Sequence, residues 1–276
     1  MKARKSRNNN TMLSIVVLAY HITSDTTLTD ECVASIDKQE LPEVRIKKWI
    51  LDNGSIPPLK DYGNSWPVLH KTFNVGNIEG QNECFMASDT EWVLFVSNDV
   101  RLEDGCIKAL WAERFNGQLM PIILNSVYGG YSYRGKPRWP MSVQSLGGRL
   151  VWPGYGFNIT KRVCCKDYSI DYVPSICYLM PKELWRRIGW FDPWFPMAYE
   201  DVDMGLRLGS SRLKCSNSAF AVHLGNATLG YDNNRRFVEG RIRLINKHYK
   251  GLDRVLRLLT VKTLCYIPIH PAKVIR

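Results

Sequence analysis

A chain of 276 residues with 45 % hydrophobic and 23 % charged side chains has the ordinary balance of a globular protein and is long enough for one large domain, or one domain with a helical appendage. No apolar run approaches the roughly 20 residues that cross a bilayer, and Met1 to Thr11 is polar and basic without the apolar stretch of a secretory signal, so the chain reads as soluble and cytoplasmic. The net charge of +11 sits at the ends: four basic groups and no acidic one in 1–11, eleven basic against two acidic in 235–276, and a nearly neutral body between, a distribution suited to polyanion contact or to simple solubility.

The eight cysteines form no Cys-x-x-Cys pair and read as reduced, mostly buried thiols rather than a zinc site or a disulfide framework.

Residues 1–11 are expected to be a disordered leader. Leu13 to Tyr20 is a continuous apolar run rich in β-branched residues, the pattern of a strand buried on both faces in a parallel sheet. Helical spacing of Leu28, Cys32, Val33 and Ile36 follows, then a second short strand at Lys48–Leu51 that stops at the turn Asp52-Asn53-Gly54-Ser55. A helix over Gly80–Ser88 leads to a third buried strand, Trp92–Val96, ending at Ser97-Asn98-Asp99. Alternating strands and helices predict an open α/β sheet, in which ligands bind beyond the carboxyl ends of the strands, where Tyr20, Asp52 and Asp99 fall. Gly129 to Asp167 has no clean period and reads as aromatic loops, and a short strand at Ala219–Val222 leads to His223. The pattern over 234–249 is helical, and Leu252–Leu264 interleaves Leu and Val with Arg254, Arg257 and Lys262, which suits either a membrane surface or packing against the body.

The segment from Trp190 to Asp203 carries the strongest chemical signal. Glu200, Asp201 and Asp203 place three carboxylates within four positions of an aromatic run. Such groups repel one another when ionised and need a cation, a hydrogen-bonding shell or a shared proton. Either they serve a metal or acid/base site, or they open an amphipathic helix whose Met204, Leu206 and Leu208 pack behind. Asp52 is either a ligand group or a turn-former, and His223 either a metal ligand or a strand-end histidine satisfied by backbone.

Taken in order, Ser14–Tyr20, Asp52-Asn53-Gly54-Ser55, Asn74-Val75-Gly76 with Gly80 and Asn82, Asn98-Asp99-Val100, Phe191-Asp192 with Glu200–Asp203, and His223-Leu224-Gly225 with Thr228 resemble the family 2 glycosyltransferases, especially their rhamnosyltransferase-like branch. The resemblance covers roughly residues 12–250. It implies the GT-A fold, a Rossmann-like open mixed sheet flanked by helices, over 12–234, with a basic C-terminal helical extension at 235–276. It further implies an inverting transferase that moves a sugar from a nucleotide-diphosphate donor to a hydroxyl of a glycan or lipid-linked saccharide. The acceptor left open beside these is a hydroxymethylated base of viral DNA, which places the protein in a host cytoplasm; a binding module without catalysis is the rival from another class.

In that family's pattern Asp201 is the catalytic base and Glu200 its orienting neighbour. Leu18, Tyr20, Asp52, Asn53, Asn74, Asn82 and Asn98 hold the nucleotide. Asp99, with His223 as a further ligand, holds the Mn²⁺ or Mg²⁺ that bridges the diphosphate. Ser97 stands where the family has the first aspartate of its metal motif, which weakens the expected ligand set. Trp190, Trp194 and Phe195 are the expected acceptor wall, and residues 235–276 the expected contact with an anionic membrane or nucleic acid.

Overall fold

The computed structural model describes residues 12–125, 142–161, 169–195, 198–224 and 233–265. The leader, much of the aromatic segment between Gly129 and Asp167, Gly225, Thr228 and residues 266–276 lie outside the described residues.

The apolar run near the start forms β1 (Met12–Ala19), with seven successive buried residues after Met12. It lies between β2 (Arg45–Asp52) and β4 (Trp92–Ser97), parallel to both. Burial of each Val, Ile or Leu here contributes about 1.5–3 kcal/mol, and the side chains of Val16, Val17, Ile50 and Phe95 are wholly inaccessible. Helices α1 (Thr27–Asp37) and α2 (Asn77–Ala87) supply the crossovers, and the short β3 (Val68–His70) extends the parallel half beyond β2.

The other half is mixed. β10 (Cys177–Pro181) runs antiparallel to β4, and β6 (Gln118–Asn125) follows it. β11 (Leu213–His223) lies parallel to β6, and β5 (Val100–Leu102) closes that side antiparallel to β11. The sheet order is β3-β2-β1-β4-β10-β6-β11-β5, with β7 (Val143–Ser145) paired to β6 and β8 (Gly148–Val151) forming a separate hairpin with β9 (Tyr155–Asn158). This is the open mixed sheet flanked by helices that the sequence predicts.

An aromatic stack fills the space under α2 and α4 (Lys182–Arg187): Phe85 lies 4.9 Å from Trp185 and 5.8 Å from Tyr178, between centroids, and Phe95 lies 5.4 Å from Tyr178. α3 (Cys106–Glu113) packs on β11. α5 (Glu200–Leu208) precedes β11, and α6 (Asn233–His248) and α7 (Gly251–Cys265) end the described chain. In α6, Leu244 and Ile245 are fully buried, so this first part of the expected basic extension is packed on the body.

Candidate functional site

Register brings the carboxyl ends of β1, β2 and β4 together: Ala19 pairs with Asp52, and Leu18 with Ser97. Main-chain bonds continue past the strands, from Asn53 N–H to Ala19 O (2.8 Å) and from Asn98 N–H to Leu18 O (3.1 Å). The loops that bear Tyr20, Asn53, Asn98 and Asp99 therefore lie side by side at one sheet edge, as expected for a ligand crevice in an open α/β sheet.

Asp52 is buried, and its carboxylate accepts the N–H groups of Ser55 (3.0 Å) and Leu59 (3.1 Å) and pairs with His70 Nδ1 at 2.8 Å. Burial pushes its carboxyl up, but the hydrogen bonds from Ser55, His70 and Leu59 outweigh burial and hold it below the usual range. In this structure Asp52 builds the turn, the second of the two roles its sequence allowed. Gly54 in that turn has φ +75°, and a Cβ there would lie 2.3 Å from the carbonyl carbon of Phe73, so only glycine lets the two loops touch.

Asn53 is similarly engaged. Its Nδ2 donates to Asn74 Oδ1 and Gly76 O, both at 3.1 Å, and its Oδ1 accepts from Val75 N–H. Asn74 Oδ1 also accepts Gly76 N–H at 2.7 Å, leaving Asn74 as the exposed member of the pair. Asn82 departs from the expected nucleotide contact: it is buried, and it clamps the main chain of Phe191 by bonds of 2.9 and 3.0 Å. Asn98 donates to Thr29 Oγ1 at 3.0 Å and lies 3.2 Å from His21 Nε2, which Thr29 Oγ1 also meets at 2.7 Å. His21 and Thr29 carry no motif, and their link to Asn98 spans up to 77 residues of sequence.

Asp99 and His223 come together, Oδ2 to Nε2 at 3.1 Å. The side-chain amide of Gln144 lies 3.0–3.1 Å from His223 Nδ1 and so turns Nε2 toward Asp99. Among the described residues no group of three or more His, Cys, Asp or Glu side chains is placed to hold a metal. One carboxylate and one imidazole fit a divalent ion only where a bound ligand contributes further oxygens, and this mixed set suits Mn²⁺ better than Mg²⁺, which favours oxygen shells.

Glu200 and Asp201 open α5, at the positive end of its dipole. The residue before them, Tyr199, has φ +70°, a left-handed conformation costing about 1–2 kcal/mol for a non-glycine residue. Its hydroxyl anchors it by accepting Gly156 N–H at 3.3 Å and Arg241 Nε–H at 3.0 Å. Glu200 is buried, with one oxygen accepting Ser175 Oγ–H at 2.8 Å and Oε2 without a partner. Burial raises its pKa against the Ser175 bond, and burial followed by the neighbouring Glu200 charge raises Asp201 well above the carboxylate range. Ser175 links this pair to the crevice, because the next residue, Ile176, accepts Ser97 N–H at 2.8 Å.

Asp203 has the opposite surroundings. Arg207, Lys247 and His248 reach it at 2.7–2.8 Å, and their hydrogen bonds and charges outweigh burial and lower its pKa.

The expected acceptor wall is dispersed. Trp190 stacks on Trp185 at 5.3 Å in a loop whose Ile188 carbonyl accepts from Arg207, on the last turn of α5, about 10 Å along the axis from Glu200. Phe195 is buried, which denies its ring face to a ligand, whereas Trp194 is exposed beneath the Arg243 guanidinium at 5.3 Å. A cleft of about 360 Å³ lies between Val75–Glu79 and Pro193, Phe195 and Arg236.

No protein-family model matches the sequence, and no curated protein matches it. Solved structures do match in fold. GalNAc-T7, crystallised with UDP, GalNAc and Mn²⁺, superposes with a TM-score of 0.66 at 12 % identity over 87 % of this chain, which spans about half (48 %) of that one. S. aureus TarS 1–349 gives 0.57 at 17 % identity, covering 92 % of this chain and 72 % of that one. Its complex with UDP-GlcNAc gives 0.55 at 17 % identity over 91 % of this chain and 71 % of that one. The fold is therefore that of the GT-A glycosyltransferases.

Proposed function

We propose that the protein is a metal-dependent inverting glycosyltransferase that moves a sugar from a nucleotide-diphosphate donor to a hydroxyl of a glycan or lipid-linked saccharide. The observation that carries this reading is the Glu200–Asp201 pair, Glu200 buried with an orphan oxygen and Asp201 half-buried beside it, tied through Ser175 and Ile176 to the strand end that precedes Asp99. Nucleotide-sugar and Mn²⁺ complexes of the proteins similar in fold support it.

Asp201 receives the proton of the acceptor hydroxyl as its oxygen bonds to the anomeric carbon and the bond to the diphosphate breaks. Burial and the Glu200 charge raise its pKa, which makes it a stronger base than a solvated carboxylate. One displacement by one base inverts the anomeric centre. Glu200 orients Asp201 and the acceptor. The main chain at Leu18 and Tyr20, with Asn98, holds the nucleoside, and Asn74 offers an exposed amide at the crevice rim. Asp52 and Asn53 shape those loops. Asp99 and His223 hold a divalent ion, which offsets charge on the departing diphosphate when bound.

Residues 235–265 add a peripheral contact with an anionic membrane. On α7, Leu252, Val255, Leu256 and Leu259 form an exposed apolar stripe opposite the buried Val261, within a strongly basic segment. No described helix is long and apolar enough to cross a membrane. Flotation with phosphatidylglycerol vesicles checks the contact, and duplex DNA binding with a steep salt dependence in its place redirects the acceptor to DNA.

The reaction is tested by release of nucleoside diphosphate from UDP-, dTDP- and GDP-sugars with Mn²⁺, Mg²⁺ or chelator, in the presence of glycan extract or hydroxymethylated DNA. Metal-dependent turnover of one donor supports the enzyme. Nucleotide binding without turnover of any donor makes the chain a binding module.

A further inference from the structure

We propose that the turn of the β8–β9 hairpin, together with the start of α6, is a saccharide platform that receives the acceptor chain beside Asp201. The proposal deepens the transferase reading and rests on it for the identity of the reacting residue.

Position comes first. The hairpin abuts the carboxylates: Gly156 N–H donates to the Tyr199 hydroxyl, and a Cβ on Gly156 would lie 3.4 Å from Val202, the residue after Asp201. Tyr199 meets Phe237 of α6 edge-on at 6.5 Å, and the Arg241 guanidinium covers the Tyr155 ring at 4.7 Å. The hairpin turn and the start of α6 thus meet over the buried Tyr199, which joins them to Glu200 and Asp201.

Its outer face is aromatic and open. Trp152 is 55 % exposed, Phe237 49 % and Tyr155 41 %, with one face of Tyr155 under Arg241 and the edge of Phe237 against Tyr199. Three large exposed rings on adjoining elements are uncommon away from a binding surface. Flat apolar rings beside polar groups suit the apolar face of a sugar ring better than a lipid chain, which calls for aliphatic side chains.

Nucleic acid also stacks on aromatics but needs cations to neutralise its phosphates. Of the cations beside the hairpin, Arg241 lies over the Tyr155 and Tyr199 rings and donates to the Tyr199 hydroxyl, and Arg149 donates to Ser169 and lies 3.7 Å from Asp171, while Arg235 and Arg236 stand at the α6 end. A neutral oligosaccharide needs no such cations. The sugar that presents its hydroxyl to Asp201 would be one unit of a longer chain, with its neighbours on Trp152, Tyr155 and Phe237.

The test is an array of immobilised oligosaccharides of one to six sugars, with single-stranded DNA spots, probed with the full chain in the presence of UDP and Mn²⁺. Binding should favour the longer members of one glycan series. Trp152→Ala should lose about tenfold in apparent affinity for them and Phe237→Ala a comparable amount, with Trp152→Phe restoring most of the loss. Both positions are exposed, and thermal melting confirms that the variants fold. A blank array, DNA binding in place of glycan binding, or oligosaccharide binding equal in wild type and both alanine variants overturns the platform. Donor turnover with a blank array refutes the platform alone, whereas array binding without turnover of any donor refutes the transferase reading alone.

Discussion

The two sides of the first turn of α5 treat the same functional group in opposite ways. Asp203, facing α6, is buried but surrounded by Arg207, Lys247 and His248, and its charge is fully answered. Glu200 and Asp201, facing the crevice, are given one serine hydroxyl and the Val202 N–H between them, one oxygen with no partner, and each other's repulsion. Glu200 and Asp203 are both buried and Asp201 is half-buried beside them, yet cationic partners are given to Asp203 alone. A carboxylate whose charge is matched holds structure together, and one left unmatched is held ready for a proton.

The contrast makes separable predictions. The largest concerns Asp203. Asp203→Asn leaves three cations facing a neutral amide, and breaking a buried ion pair from one side costs about 3–5 kcal/mol. A urea titration should show that loss. An unchanged midpoint would mean that α6 does not need this anchor.

Metal use comes next. Gln144→Ala frees His223 to rotate, and removing such a supporting bond typically costs about 10–100-fold in metal affinity. The Mn²⁺ concentration for half-maximal nucleotide-diphosphate release should rise accordingly, with little change in unfolding. An equal response in both would make Gln144 purely structural.

The pH profiles should diverge as well. Asp201 has a raised pKa, so kcat/KM should climb with pH through a limb lying above the ordinary carboxylate value of about 4. Asp203 has a lowered folded pKa, so the stability it contributes is present above its unfolded pKa and is lost as pH falls through the folded one. Activity should therefore fail at a higher pH than the Asp203 anchor does. Coincident losses, followed by rate and by circular dichroism, would contradict the separation.

The smallest effect belongs to Ser175→Ala. It removes the hydrogen bond that favours ionised Glu200, a contribution of about 1.5–3 kcal/mol when the acceptor is charged. With Glu200 ionising less readily, the repulsion that raises Asp201 weakens, and the acid limb should move downward. No movement would uncouple Glu200 from the base.

The contrast also explains what the sequence could reveal. Strands buried on both faces announce themselves, so β1 and β4 are read within a residue or two of their bounds. β11 is longer than the predicted Ala219–Val222 because its first half is irregular and alternates with exposed Ser and Asn. β6 carries Pro121, which weakens a strand reading, and β5 is only three residues long and leaves no periodicity. In the site, the order of motifs brings Asp99 and His223 together and places Glu200 with Asp201. Sequence could not show that Asn82 is occupied by Phe191, 109 residues away, or that Trp190 turns toward Trp185. Gln144 and the hairpin aromatics lie in a stretch without helical or strand period, where only tertiary contacts assign a role.

The most direct test of the account is the Asp201→Asn protein, measured for transfer from whichever donor the wild type turns over and, separately, for nucleotide affinity and unfolding. Loss of a general base should lower kcat by about 10²–10⁴-fold, with nucleotide affinity and stability held or slightly improved as the charge that repels Glu200 is removed. Transfer that survives the substitution, or a fall in rate matched by lost nucleotide binding, would contradict the assignment of Asp201 as the base.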